Sequence, residues 1–173
     1  LSNIGRDKIA VVEFNVESGE EKVLFSHEEF DAQNLSFSLQ RKVLTASDYI
    51  SWKYETHFFD DSIKNIFNSW KSKLGNYDIS VASHTLNEDI FVLRTYSDRS
   101  LGSYYLYDLN DNSMKLICEV SPWLNENELS EVMPIKFQSR DGLTINGYLT
   151  LPNVDKKKNL PTVVKIHGGP WSR

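Results

Sequence analysis

Four residues close to the C-terminus, His167-Gly168-Gly169-Pro170, have the types and order for one particular chemistry. Consecutive glycines let a substrate approach the backbone closely, because no Cβ stands in the way. A backbone N–H held open at such a turn can donate to the oxygen that becomes anionic when a carbonyl is attacked. The chemistry is acyl transfer, and the preceding residues 162–166, β-branched after Pro161, are expected to form a buried strand that delivers the turn. A complete site of this kind also needs a serine on a Gly-x-Ser-x-Gly elbow, followed in sequence by Asp or Glu and then His. The 173 residues contain no such elbow. The nucleophile, the acid and the base are therefore expected beyond residue 173, and His167 is read as shaping the turn rather than as the base. Taken alone, the tetrapeptide is equally well an ordinary glycine turn after a strand.

The elements that would position this turn begin with short strands. Residues 8–16, 22–25, 35–39 and 42–46 are rich in β-branched and aromatic residues, and the third alternates with period two. A second series covers residues 77–83, 89–96, 103–109 and 114–120, with Asn110-Asp111-Asn112-Ser113 as the turn between the last two. Close, even spacing predicts antiparallel sheets rather than βαβ units. Two series of four strands match the plan of propeller blades, whose four-stranded repeats run to roughly 40–50 residues. Between them Ile63, Ile66, Phe67, Trp70 and Leu74 fall on one helical stripe, which predicts a helix over 61–74. Asp60 and Asp61 suit its N-terminus, and Gly75 its stop. After a polar link at 122–129, Asp141-Gly142 between residues 135–139 and 143–151 is a strong hairpin signal, which makes Arg140-Asp141-Gly142 a turn rather than an adhesion tripeptide.

Composition narrows the partners. Apolar residues at 40% and charged residues at 25% indicate a globular chain. A net charge of −5 argues against nucleic acid or an anionic membrane surface, and Lys156-Lys157-Lys158 between two prolines is read as a solvated loop. No apolar run approaches the ~20 residues of a membrane span. Cys118 is the single cysteine, so no intrachain disulfide can form, and its strand-like surroundings predict a buried, inert thiol. His27, His57 and His84 lack partners at ligand spacing, so no metal or other cofactor is expected. The aromatic group Trp52, Tyr54, Phe58 and Phe59 is read as packing against the helix. Glu28, Glu29 and Asp31 are read as a solvated face.

Residues 139–152, Ser-Arg-Asp-Gly-Leu-Thr-Ile-Asn-Gly-Tyr-Leu-Thr-Leu-Pro, and 160–173, Leu-Pro-Thr-Val-Val-Lys-Ile-His-Gly-Gly-Pro-Trp-Ser-Arg, resemble the dipeptidyl aminopeptidase/acylaminoacyl-peptidase branch of the prolyl oligopeptidase family. Upstream, Tyr96-Ser97-Asp98 and Tyr104-Tyr105-Leu106-Tyr107-Asp108 are similar to the last propeller blade of that branch. The resemblance implies a mainly β chain, in which residues 1–133 are the last blades of a β-propeller with a helical insertion. Residues 134–173 would then be the first strands of an α/β-hydrolase domain.

It further implies that the Gly169 backbone N–H is one donor of an oxyanion hole, with His167 and Gly168 shaping the turn, and that the second donor and the Ser-Asp-His triad lie elsewhere. The expected activity is that of a serine peptidase acting on short peptides, releasing dipeptides or N-acylated residues. The 173-residue segment alone is expected to be inactive, and the compartment is left open between cytoplasm and periplasm. Two other readings stay open: a propeller that binds without catalysing, and a His-Gly-Gly esterase. Unpaired strand edges in such a segment would favour a homo-oligomer or a strand-swapped dimer.

Overall fold

The computed structural model describes residues 1–169, and these are mainly β, with eleven strands and one α-helix. They divide into two compact units, Leu1–Asn76 with His84–Ile90, and Tyr77–Ser83 with Phe91–Arg173.

In the first unit β1 (Val11–Phe14) pairs antiparallel with β2 (Glu21–Phe25). The turn between them is held by Asn15, whose Oδ1 accepts from the N–H groups of Glu17 (2.9 Å) and Ser18 (3.1 Å). A separate three-stranded sheet holds β3 (Ala32–Ser38), β4 (Val43–Ile50) and β5 (Tyr54–Phe58) in that order. The first series of strands is thus split between two sheets, which corrects the expectation of one four-stranded unit. The fifth strand, built from residues read as an aromatic packing group, takes the place beside β4. Just ahead of β1, the Ile9 carbonyl accepts from the Ala32 N–H of β3 at 2.9 Å.

The helix forms where the stripe predicts it. Helix α1 (Asp61–Leu74) is capped by Asp60, which accepts from the Ile63 N–H at 2.9 Å. Gly75, at φ 75°, closes it with a bond to the Lys71 carbonyl. Trp70 is 1% exposed and Phe67 meets Phe58 of β5 at 5.3 Å between ring centroids, so the stripe does face the core. Burying a side chain of that size stabilises by on the order of 2–3 kcal/mol.

The second unit carries a four-stranded sheet in sequence order: β6 (Asp78–His84), β7 (Ile90–Tyr96), β8 (Ser103–Asp108) and β9 (Ser113–Glu119). Short connections between successive strands make neighbours antiparallel. Along β7 the buried residues alternate as Phe91, Leu93 and Thr95, so one face of the sheet packs and the other is half-open. The Asn112 turn adopts φ 57°, tolerated best by Asn and Gly, and the Tyr107 hydroxyl donates to Asn112 Oδ1 at 2.9 Å.

A hairpin of β10 (Val132–Gln138) and β11 (Thr144–Thr150) follows. Its turn is the predicted one: Gly142 takes φ 85°, and the Ser139 N–H donates to the Leu143 carbonyl at 2.8 Å.

Candidate functional site

The hairpin's β11 leads toward the glycine turn through an irregular stretch from residue 151, in which Lys156, Lys157 and Lys158 are exposed as predicted. The strand expected at 162–166 is absent. Those residues pair with no described strand, and Val163, Val164 and Ile166 stand 94%, 81% and 89% exposed. An apolar run becomes a buried strand only when neighbouring strands cover it, and the described residues supply none. His167, Gly168 and Gly169 are likewise exposed. Gly169 has φ 107°, a conformation that L side chains rarely adopt, and a Cβ built on Gly168 would meet nothing within 4 Å. The turn is therefore open to an approaching group. Pro170 and Trp171, which complete the motif, lie outside the described residues together with Ser172 and Arg173.

The remaining candidates have structural partners. Asp60, besides capping α1, pairs with Arg41 at 2.8 Å, and that guanidinium holds its carboxyl below the usual range. Asp31 accepts from the Ile9 N–H at 2.7 Å. Trp52 and Tyr54 of the group read as packing are about half exposed, whereas Phe58 and Phe59 meet the rings of Phe67 and His57 respectively. Cys118 is exposed on β9, which corrects the expected buried thiol. The alternation there is interrupted by a bulge opposite Tyr104 and Tyr105, and β9 is an edge strand with only one neighbour.

Two features escaped the sequence. An aromatic group joins Phe25, His27, Phe30, Tyr49, His57 and Phe59, with His57 stacked on Phe25 at 4.1 Å and 15°. Its members come from β2, β4, β5 and two loops, so no local spacing announces it. The second is a polar cleft of about 230 Å³ in the second unit, lined among others by Tyr77, Ser100, Ser103, Tyr105, Glu119 and Glu126. The Tyr77 hydroxyl donates to both Glu126 oxygens, at 2.9 and 2.8 Å. Hydrogen bonds from Ser100 and then Tyr77 hold the Glu126 carboxyl below its usual range, and the same carboxylate raises Tyr77. Hydroxyls and carboxylates can hold a polar ligand there. None of the lining residues is a histidine or lysine that could take a proton from a serine, so the cleft is not built for nucleophilic attack.

Comparison with known proteins bears on the open glycine turn. No protein-family model matches the chain. The chain is similar to Dipeptidyl aminopeptidase BIII of Pseudoxanthomonas mexicana, with 28% identity over 180 residues that cover 98% of this chain and 25% of that protein. The chain thus spans about a quarter of the length of the curated relative it matches.

Proposed function

We propose that the chain is part of a serine-type peptidase that hydrolyses short peptides through an acyl-enzyme, releasing dipeptides or N-acylated residues. The observation that carries this reading is the similarity to a dipeptidyl aminopeptidase along 98% of the chain. In this reading residues 1–133 contribute blades of a β-propeller and residues 134–173 open an α/β-hydrolase domain. The four-stranded sheet β6–β9 and the β10–β11 hairpin support that division. The Gly169 N–H is one of two oxyanion donors, and its φ of 107° supports the need for glycine there. The serine, aspartate and histidine of the triad are supplied from outside these 173 residues, so the segment alone does no hydrolysis.

A fluorophosphonate probe, which reports an activated serine, tests this directly. The longer protein that contains this segment should label and the 173-residue chain should not. In that longer protein Gly169→Ala should lower kcat by about 10²-fold with little change in KM, because alanine resists this backbone conformation and the N–H is turned away from the oxyanion. Labelling of the 173-residue chain, or a Gly169→Ala enzyme with unchanged kcat, would refute the assignment.

A further inference from the structure

The polar cleft of the second unit has fixed walls. Thr95 is 2% exposed; its Oγ1 accepts from the Ser103 N–H at 3.0 Å and donates to the Ser103 carbonyl at 3.3 Å. The Val120 N–H donates to the Gly102 carbonyl at 2.9 Å and ties the end of β9 to the start of β8. Ser103 pairs directly with Glu119, so a hydroxyl and a carboxylate occupy adjoining positions of the lining. The rest comes from the link after β9. Pro122 disfavours helical backbone at Ser121, whose carbonyl accepts from the Leu124 N–H at 3.0 Å. Glu126 is anchored there by the Tyr77 hydroxyl.

Several groups of this lining are unused. Ser121 is only 8% exposed, yet its hydroxyl makes no hydrogen bond among the described residues and is not sealed off from the cleft. A hydroxyl so placed has lost most of its water without gaining a partner, a cost that a ligand in the cleft offsets. The Tyr105 hydroxyl and the Glu119 carboxylate also line the cleft, and neither makes a hydrogen bond among the described residues. Charge is one-sided as well. Glu119 and Glu126 line the cleft without any Lys, Arg or His, and Arg99 acts on Glu126 only from outside the lining. Walls of one sign concentrate ions of the other.

We infer that this cleft binds a small primary ammonium ion, with Glu119 and Glu126 as counter-charges and the Ser121 and Tyr105 hydroxyls as acceptors. The three N–H donors of such a group match a lining whose unused side-chain groups are all oxygens. A volume of about 230 Å³ lies below the roughly 300–1,000 Å³ of sites for drug-sized ligands, which fits a small molecule rather than a peptide segment. Among the described residues no group of three or more acidic, His or Cys side chains could hold a metal ion instead. The bound ion would pin the link after β9 to the sheet. The inference stands independently of the proposed hydrolysis, since no triad residue takes part.

Three probes of similar size separate charge from hydrogen bonding, each titrated at pH 7 into the ¹³C,¹⁵N-labelled 173-residue chain. Ethanolamine is a primary ammonium, ethylene glycol is its neutral counterpart, and choline is cationic without N–H donors. Ethanolamine should shift the Glu119 and Glu126 carboxyl carbons and the Ser121 amide saturably, with a Kd of about 1–10 mM. The other two should bind at least about tenfold more weakly. Glu119→Gln, at an exposed position of an edge strand, should keep the fold and weaken ethanolamine about tenfold; Ser121→Ala should weaken it about fivefold. Glu128→Gln, close in sequence but outside the lining, should leave binding unchanged. The inference is overturned if ethanolamine gives no saturable shift up to about 0.1 M, or if glycol or choline matches it. It is equally overturned if Glu119→Gln or Ser121→Ala binds as tightly as the original chain, or if Glu128→Gln weakens binding as much as Glu119→Gln.

Discussion

His57 shows how a single residue can be set by neighbours distant in sequence. Its ring is stacked on Phe25 and meets Phe59 edge-on at 4.8 Å, so charging it means charging a group held among rings. Burial first, and the Lys64 ammonium second, push its pKa below the ordinary 6.5. In the unfolded chain His57 binds its proton near that ordinary value, whereas in the folded chain it does so only at lower pH. The stabilisation is therefore fully present above about pH 6.5 and is lost as pH falls through the folded value. Glu21, Asp60, Glu88 and Glu126 also have lowered values, so they add stability that fades only below the usual carboxylate range. Asp48, raised by burial, works in the opposite direction. The expectation is that His57→Phe, which keeps the stacking and removes the titration, flattens the pH dependence of unfolding between pH 5 and 7. Urea titrations of both proteins across that window measure it; parallel curves would mean that His57 carries no linkage. None of this was visible from residue spacing, which showed three isolated histidines. Asp60, by contrast, was legible because capping is a local property, readable from residues 60–63 alone.

At the scale of elements, turns and the helix were legible, and the grouping of strands into sheets was not. The Asp141-Gly142 and Asn110–Ser113 turns and the α1 stripe are written in short windows, each with its own steric or periodic signature. Strand β5, Tyr-Glu-Thr-His-Phe, was hidden because Glu55 and His57 interrupt its apolar residues; Tyr49 satisfies Glu55 by donating from its hydroxyl at 3.0 Å. Gly102 is a further position that chain inspection does not mark. It sits at φ 80°, and a Cβ there would lie 1.6 Å from the Thr95 carbonyl oxygen, backbone against backbone. Gly102→Ala should therefore destabilise by at least ~2 kcal/mol, since strain and clash add. Gly5→Ala, at φ 68° but in open space, should cost about 1 kcal/mol. Chemical denaturation of the two variants decides whether the carbonyl contact or the dihedral dominates. The β10–β11 hairpin makes a different demand. The face that holds Met133, Ile135, Phe137, Ile145 and Leu149 is 37–54% exposed at each position. An apolar face of this extent promotes association. Phe137→Lys should shift the 173-residue chain toward the monomer in light scattering, and an unchanged distribution would place any association elsewhere.

At the scale of the whole molecule, the two units are interleaved along the chain, because residues His84–Ile90 belong with the first unit although β6 and β7, which flank them, belong largely to the second. The residue that explains this assignment is Glu88. Its carboxylate accepts from the Ser38 hydroxyl at 2.6 Å and from the Gln40 N–H at 3.4 Å, and those bonds outweigh the desolvation that would raise its pKa. Glu88 also holds φ 55°, an uncommon conformation for a residue with a side chain, which persists only when surrounding contacts impose it. Sequence order could not reveal such a long-range clamp, just as it could not reveal which strands would cover residues 162–166. The clamp predicts an ordered series. Glu88→Ala removes the acceptor and keeps the backbone strain, leaving the 3%-exposed Ser38 with an unmatched donor, so it should cost about 1–3 kcal/mol. Glu88→Gly also loses the acceptor but relieves the strained dihedral, and should fall between the original chain and the alanine variant. With Trp52, Trp123 and Trp171 replaced by Phe in every chain compared, the fluorescence of Trp70, which is buried in the first unit, reads the unfolding of that unit. If both variants leave the midpoint of the Trp70 signal unchanged, residues His84–Ile90 merely lie against the first unit; a graded fall shows that they complete it.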